Sequence, residues 1–222
     1  MPTVKKHDFV EIDYTGTIRE DGSIFDTTEE KVAREKEAYD KNSRYHPAVI
    51  CVGENYILKS LEDQMVGKEA GKGYKFEIDA EKAFGKKDLK LVQMIPLNKF
   101  RKQNIQPVPG LQLNIDGVFG VIKTVSGGRV LVDFNHPLAG KNIVYDVKIR
   151  RIVDDAKEKI KALLDVHLHA HDAEVSVNGE NAGIRLRHDI PNEVREGFKK
   201  IVERTVPGIK NVAFEVSEEQ NK

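Results

Sequence analysis

The chain has almost no cysteine, no tryptophan, no excess of either charge and no long apolar run, and each shortage closes off a class of protein. Cys51 is the one cysteine in 222 residues, so no intrachain disulfide can form. With no secretory pattern at the N-terminus, a reducing, cytoplasmic location is expected. Lysine plus arginine and aspartate plus glutamate number 36 each, so neither a nucleic-acid footprint nor an acidic tail is expected. Apolar runs such as 118–121 last a few residues, against the roughly 20 needed to cross a bilayer, so no membrane partner is expected. No phosphate-binding loop, dinucleotide fingerprint or nucleophile–histidine arrangement occurs, which leaves no cofactor to expect. What is present is 39% apolar and 32% charged residues, enough for one large domain or two to three small ones.

Residues 8–19, DFVEIDYTGTIR, set Val10, Ile12 and Tyr14 against Glu11 and Asp13, the period of a half-buried strand. Asp21-Gly22 is a hairpin signal, and SIFD returns as a second strand. Residues 28–44 are nearly all charged or polar and predict a solvated helix or loop, ended by Pro47 before the strand AVICV at 48–52. Ile57, Leu58, Leu61 and Met65 fall at helical spacing within 55–66, with Gly67 placed to stop the helix. Tyr74, Phe76 and Ile78 alternate as a strand, and DAEKAFG at 79–85 is a turn with an aromatic tip.

From Lys86 the pattern changes. LKLVQMIP predicts a strand and PLNKF a short helix. LQLNI, VFGVIKTV and RVLVDF then follow as strands, separated by Asp116-Gly117 and Ser126-Gly127-Gly128. This reads as a compact all-β unit over 86–134. IVYDVKIRRIV at 143–153 is a strand long enough to cross a sheet. Beyond it, Ile160, Leu163 and Leu164 share a helical face, with Asp154 or Asp155 as N-cap. A hairpin through Asn178-Gly179 comes next. A helix over 191–204 carries Val194, Phe198, Ile201 and Val202 on one stripe, and VAFEV at 212–216 is the last strand before a polar tail. The order αββαβ over 154–222 predicts a small α+β sandwich.

Three features go beyond mixed α/β. Tyr14 precedes G-x-x-x-x-DG-x-x-FD, which closes at Phe25-Asp26; VGENYILKSLEDQMVGKEAG joins a strand, a loop and a helix; and AFG is followed by an inserted unit and then NHPLAGKNIVYDVKI. Over residues 3–153 this resembles the FKBP-type peptidyl-prolyl isomerases, in particular the SlyD-like branch with an insert-in-flap domain. The polar insertion and the C-terminal region look like the long archaeal type. The resemblance implies an α+β fold: an FKBP antiparallel half-barrel sheet wrapping a short helix (1–85 and 135–153), an inserted small all-β domain (86–134) and a C-terminal α+β sandwich (154–222).

The resemblance also implies a proline-binding pocket and isomerisation of X–Pro bonds. Tyr14, Phe25 and Asp26 match its first wall, and Ile57 and Leu58 its backbone-donor and apolar pair. Leu61 stands where many relatives have Trp, Phe84 where most have Tyr, and Tyr145 where many have Phe. A backbone N–H near Ile57 is the expected anchor for a substrate carbonyl. The insert is implied to hold unfolded polypeptides, through Leu91, Met94, Ile95, Leu97, Phe100 and Phe119, because a unit of about fifty residues cannot bury all its apolar side chains. The competing reading is a holdase with a degenerate pocket, motivated by Leu61 and Phe84.

His167, His169 and His171 alternate, and on a strand they would share a face with spacing for two metal ligands. The His-rich tail of SlyD relatives lies after the same point. With three histidines and no nearby cysteine, polar strand residues are expected and no metal is assigned. His136 belongs to the family turn and is expected to bond backbone, and Cys51 to be a small core residue. The apolar stripes of 154–222 exceed what one thin layer buries, so a homodimer through this region is expected.

Overall fold

The computed structural model describes residues 2–115 and 117–216. Asp116, half of the Asp116-Gly117 turn, and the polar tail 217–222 lie outside the described residues. The chain divides into two units, Met1–Glu77 with Val144–Lys222, and Ile78–Ile143.

In the first unit, β1 (Phe9–Ile18) and β2 (Ile24–Thr27) pair antiparallel across Asp21-Gly22, where Gly22 supplies a φ of 68°. Their register slips between Gly16 and Thr17. The polar stretch forms α1 (Glu30–Glu35), in which only Ala33 is buried. Arg34 lies 3.7 Å over the Tyr39 ring, which stacks on Tyr45. Next, β3 (Ala48–Cys51) pairs antiparallel with β1, Phe9 opposite Cys51. The helix expected over 55–66 is shorter: α2 spans Lys59–Met65, and Leu58 is still extended at ψ 122°. The cause is Glu62, which draws the preceding N–H groups out of helical geometry. After α2 comes β4 (Gly73–Ile78).

The second unit is a four-stranded sheet. A short 3-10 turn at Leu89–Leu91, capped by Asp88, leads into β5 (Val92–Pro96). Then follow α3 (Leu97–Lys102), β6 (Gln112–Ile115), β7 (Val118–Ser126) and β8 (Arg129–Asp133), in sheet order β5-β8-β7-β6. Phe100, Ile122, Val130 and Val132 are its buried core, with Ile95, Leu97 and Phe134 packed against them. Buried Asp133 accepts from the Asn135 backbone and side-chain N–H groups at 3.0 and 2.8 Å, with Lys87 and Lys123 at 3.6 and 3.8 Å. Its burial opposes ionisation, but these donors and cations hold its carboxyl below the usual carboxylate range.

The chain then returns to the first unit as β9 (Ile143–Val153), which completes a five-stranded sheet of order β2-β1-β9-β4 with β3 on β1. Buried Asp13 is paired by Arg150 Nε at 2.5 Å, which offsets the cost of an acid inside the sheet. Asp155 caps α4 (Ala156–Leu168), accepting from Glu158 N–H at 2.8 Å. Beyond it are β10 (Glu174–Asn178), β11 (Asn181–Leu186), α5 (Asn192–Thr205) and β12 (Asn211–Val216). β11 pairs antiparallel with β10 and parallel with β12, α5 making the crossover.

Much of the apolar surface of α4 and α5 is covered inside the chain: Ile160, Leu163, Leu164, Phe198 and Val202 share one core with Phe9, Cys51 and Val153. Val194 of the α5 stripe is 38% exposed, and Cys51 is fully buried. The histidines do not lie on a strand. His167 is in the last turn of α4, His169 ends the helix in the left-handed conformation at φ 50°, and His171 sits in the following turn. No group of three or more metal-ligating side chains occurs among the described residues. No helix among them is long and apolar enough to cross a membrane.

Candidate functional site

Three aromatic rings gather on the first unit. Tyr14 lies on β1, Phe25 on β2 and Tyr145 on β9. The Tyr145 ring stands edge-to-face with both others, at centroid distances of 5.8 Å to Tyr14 and 5.6 Å to Phe25. The Tyr14 hydroxyl donates to Asp26 Oδ2 at 2.8 Å. Burial first, then the Asp26 carboxylate, push the Tyr14 phenol well above its ordinary range, and the same two causes raise Tyr145. Both phenols therefore stay neutral at physiological pH. The cluster holds an apolar wall with one polar edge and no nucleophile.

Gly16 makes the cluster possible. A Cβ there would stand 2.6 Å from Phe25 Cζ and 3.0 Å from Tyr145 Cε1. The residue sits at the β1–β2 bulge, where the strand bends away and leaves room for the rings.

A second construction fixes the approach to α2. Glu62, fully buried, accepts three backbone N–H groups: Gly53 at 2.7 Å, Asn55 at 3.1 Å and Ile57 at 3.0 Å. The segment needs this support, because Gly53 and Asn55 both have positive φ, 95° and 60°. The side chains between them are also held. Glu54 pairs with Arg204 of α5 and lies 3.6 Å from His7 Nδ1. The Tyr56 hydroxyl shares a hydrogen bond with His167 Nε2 of α4 at 3.1 Å. Burial and then Arg204 lower the His167 pKa, which favours its neutral ring. Leu61 is fully buried one turn into α2.

In the second unit, Phe84 stacks on His136 with centroids 4.7 Å apart and planes 2° from parallel. His136 Nδ1 accepts from Leu138 N–H at 3.2 Å, the backbone bond expected of that turn. A groove of about 810 Å³ is lined mainly by β5 and α3 residues, among them Leu91, Met94, Ile95, Pro96 and Phe100. Met94 is 60% exposed and Val118, at its rim, 52%. By contrast, the cleft of about 690 Å³ in the first unit mixes the charged Lys5, Asp8, Arg150, Arg151 and Asp154 with Pro2, Ala70 and Ile152, and its lining includes none of the three rings.

Of the residues singled out in the sequence, Tyr14, Phe25, Asp26 and Tyr145 come together. Ile57, Leu58 and Leu61 form the entry to α2, and Phe84 belongs to the other unit. Of the backbone N–H groups near Ile57, where a substrate anchor is expected, that of Ile57 itself is taken by Glu62. Leu91, Met94, Ile95 and Phe100 line the groove, with Phe100 also in the core; Leu97 lines a separate cleft with Ile105 and Val125, and Phe119 is exposed outside the groove lining. Sequence reasoning missed Gly16 and Glu62. Glu62 carried a signal: with Leu58, Leu61 and Met65 it completes an i, i+3, i+4, i+7 set, so an acid stands in a core stripe.

Residues 1–104 match the family model for FKBP-type peptidyl-prolyl cis-trans isomerase, and residues 93–138 match that for the FKBP26 IF domain. The chain is 33% identical over 149 residues to a short-type peptidyl-prolyl cis-trans isomerase of Methanocaldococcus jannaschii, covering 67% of this chain and 94% of the relative. It is 36% identical over 108 residues to a probable FKBP-type 16 kDa peptidyl-prolyl cis-trans isomerase of Pseudomonas fluorescens, covering 46% of this chain and 71% of that one. It is 28% identical over 166 residues to the FKBP-type isomerase SlyD of Aeromonas hydrophila, covering 74% and 69%. With these matches in the same order as the elements that carry the aromatic cluster and the inserted sheet, the chain belongs to the FKBP-type peptidyl-prolyl cis-trans isomerases, of the SlyD-like kind with an IF domain.

Proposed function

We propose that this protein accelerates cis/trans isomerisation of X–Pro bonds in folding polypeptides, at a pocket formed by Tyr14, Phe25, Asp26, Ile57, Leu58, Leu61 and Tyr145, on a sheet curved around α2. The observation that carries this reading is the edge-to-face cluster of Tyr14, Phe25 and Tyr145.

The reaction breaks no covalent bond. Its barrier is the lost amide resonance of a twisted X–Pro bond, and uncatalysed exchange takes tens to hundreds of seconds. A group helps only if it favours the twisted amide over the planar one. The twisted amide is less dipolar, so an apolar wall that displaces water suits it better than water does. The neutral rings supply that wall and hold the pyrrolidine. Asp26 keeps the Tyr14 hydroxyl oriented and takes no proton. Because Glu62 occupies the Ile57 N–H, the Leu58 N–H, for which the described residues supply no acceptor, is the anchor for a substrate carbonyl.

The insert over 86–134 holds unfolded chains in its groove, and the covalent tether raises client concentration at the pocket. Residues 1–85 with 135–153 form the isomerase domain and 154–222 a third domain. The insertion at 28–44 and this last region support reading the chain as the long archaeal type, and a reducing cytoplasm would keep Cys51 a thiol. A protease-free assay on a proline tetrapeptide tests the isomerase: turnover above buffer is expected, and a rate no faster than buffer overturns it. That second result, with client binding intact, would favour the holdase reading, which the open groove also supports.

A further inference from the structure

The groove carries charges that its apolar lining does not explain. Residues 78–143 hold ten lysines and arginines against five aspartates and glutamates, in a chain whose totals balance. Glu81 takes Lys86, and Asp133 takes Lys87 and Lys123. Asp88 caps the Leu89–Leu91 turn through Lys90 N–H. Lys90, Lys99, Arg101, Lys102 and Arg129 are exposed and have no carboxylate partner among the described residues. Lys99 and Lys102 line the groove, and Arg129 Nη1 reaches Met94 Sδ in its wall at 3.6 Å. The groove is thus apolar inside and cationic at its lip.

Resting on the reading of this groove as a client site, we infer that it selects apolar client segments flanked by acidic residues. Such a segment leaves its carboxylates at the lip over the ammonium groups while its apolar side chains enter. A basic flank meets like charge there. Single-stranded RNA would also be drawn to the cations, but stacked bases need open aromatic faces. The groove's two rings are Phe100, which is buried, and Phe134, which is half-buried and packed against the core, beside aliphatic Leu91, Ile95 and Pro96 and the thioether of Met94.

The test uses the full chain and three proline-free peptides with one Leu-Ile-Phe core, flanked by glutamate, glutamine or lysine, read by fluorescence anisotropy. The glutamate peptide should bind about tenfold tighter than the glutamine one and the lysine peptide weakest, the differences collapsing at about 1 M salt. The double variant Lys99→Glu with Lys102→Glu should invert that order. Equal binding of all three overturns charge selection and leaves the client site standing. No binding of any peptide overturns the client site and this inference together. An RNA oligonucleotide that displaces the peptide and binds tighter also overturns it.

A different observation assigns work to α4 and α5. Along 53–57, the backbone N–H groups of Gly53, Asn55 and Ile57 go to Glu62, and the alternating side chains of Glu54 and Tyr56 go to Arg204 and His167. The Glu54 side chain is only 13% exposed, while Arg204 reaches it from a side chain that is 63% exposed. The geometry points to Arg204 and His167 as positioning residues for the segment that presents Leu58 to substrate. Arg204→Gln should lower kcat/KM several-fold and speed amide exchange at 53–57, leaving exchange in β10–β12 unchanged. Arg204→Lys should restore most of both. Tyr56→Phe removes only the His167 bond and should give a smaller effect of the same kind. Unchanged exchange at 53–57 in Arg204→Gln overturns the assignment. So does a loss that Lys fails to restore and that comes with faster exchange throughout α4 and α5.

Discussion

The aromatic cluster of the first unit and the groove of the second draw on the same stock of apolar side chains, and they use it in opposite ways. Tyr14, Phe25 and Tyr145 are locked edge-to-face, and the Tyr14 hydroxyl is bonded to Asp26. Behind the entry to α2, a buried carboxylate ties down three N–H groups. In the groove, Met94 and Val118 stand largely in solvent, and the lysines at the lip have no described acid. The first arrangement has a fixed shape, as differential binding of a twisted amide requires. The second has little to hold it in one shape and can take many apolar sequences, with thioether and aliphatic groups that adapt.

That contrast is broken most severely at Glu62. Glu62→Ala removes a fully buried carboxylate, leaves three part-buried N–H groups without their acceptor and should cost about 2–4 kcal/mol of stability, with loss of tetrapeptide turnover. Urea unfolding and the peptide assay measure the two effects. Gly16→Ala comes next: its methyl would stand 2.6 Å from Phe25 Cζ, nearer than real Cβ atoms come, and in tight contact with Tyr145 at 3.0 Å. The rings must shift, at a cost of about 1–3 kcal/mol, and turnover should fall far more than client binding does.

The groove should respond in the opposite sense. Met94→Glu with Val118→Glu should slow catalysed refolding of a proline-limited protein about tenfold more than it slows tetrapeptide turnover. Equal losses in both assays would show that the two regions do not divide the work.

Smaller effects sharpen the comparison further. Asp133 has a depressed folded-state pKa, so its contribution is fully present above the unfolded value of about 3.9 and is lost as pH falls through the lower folded value. Acid should therefore loosen the second unit in that window, and Asp133→Asn should flatten the limb; amide exchange between pH values on either side reads it. Phe84→Tyr should leave turnover unchanged or raise it slightly if Phe84 holds the FKBP-type position matched to it in the sequence, and a large loss in the tetrapeptide assay would count against that match.

How far the sequence revealed this depended on whether the controlling interaction was local. Period-2 alternation gave β1 and β9, and turn residues gave the hairpins, because both follow from neighbours along the chain. The three rings were legible because they sit at fixed places in a known motif. Gly16 was quoted in that motif, but its purpose depends on β9, more than a hundred residues away. The early end of helical geometry before Lys59 came from a buried acid acting on backbone ahead of it, which propensity cannot register. His167, His169 and His171 alternate in a way that fits a strand, yet α4, whose stripe packs in one core with Phe9 and Cys51, runs through His167 to Leu168 and turns off at His169. A surplus stripe in sequence does not say whether its cover comes from another copy or from the chain itself; here Ile160, Leu163, Phe198 and Val202 are covered by the chain and Val194 is 38% exposed.

The central claim is that a rigid aromatic pocket turns over prolyl bonds and an open groove supplies them. It is tested most directly by measuring, with one preparation of the full chain, isomerisation of a proline tetrapeptide beside refolding of a proline-limited protein. The account predicts acceleration of both, with refolding accelerated far more per molecule of enzyme. Peptide turnover indistinguishable from buffer would contradict it.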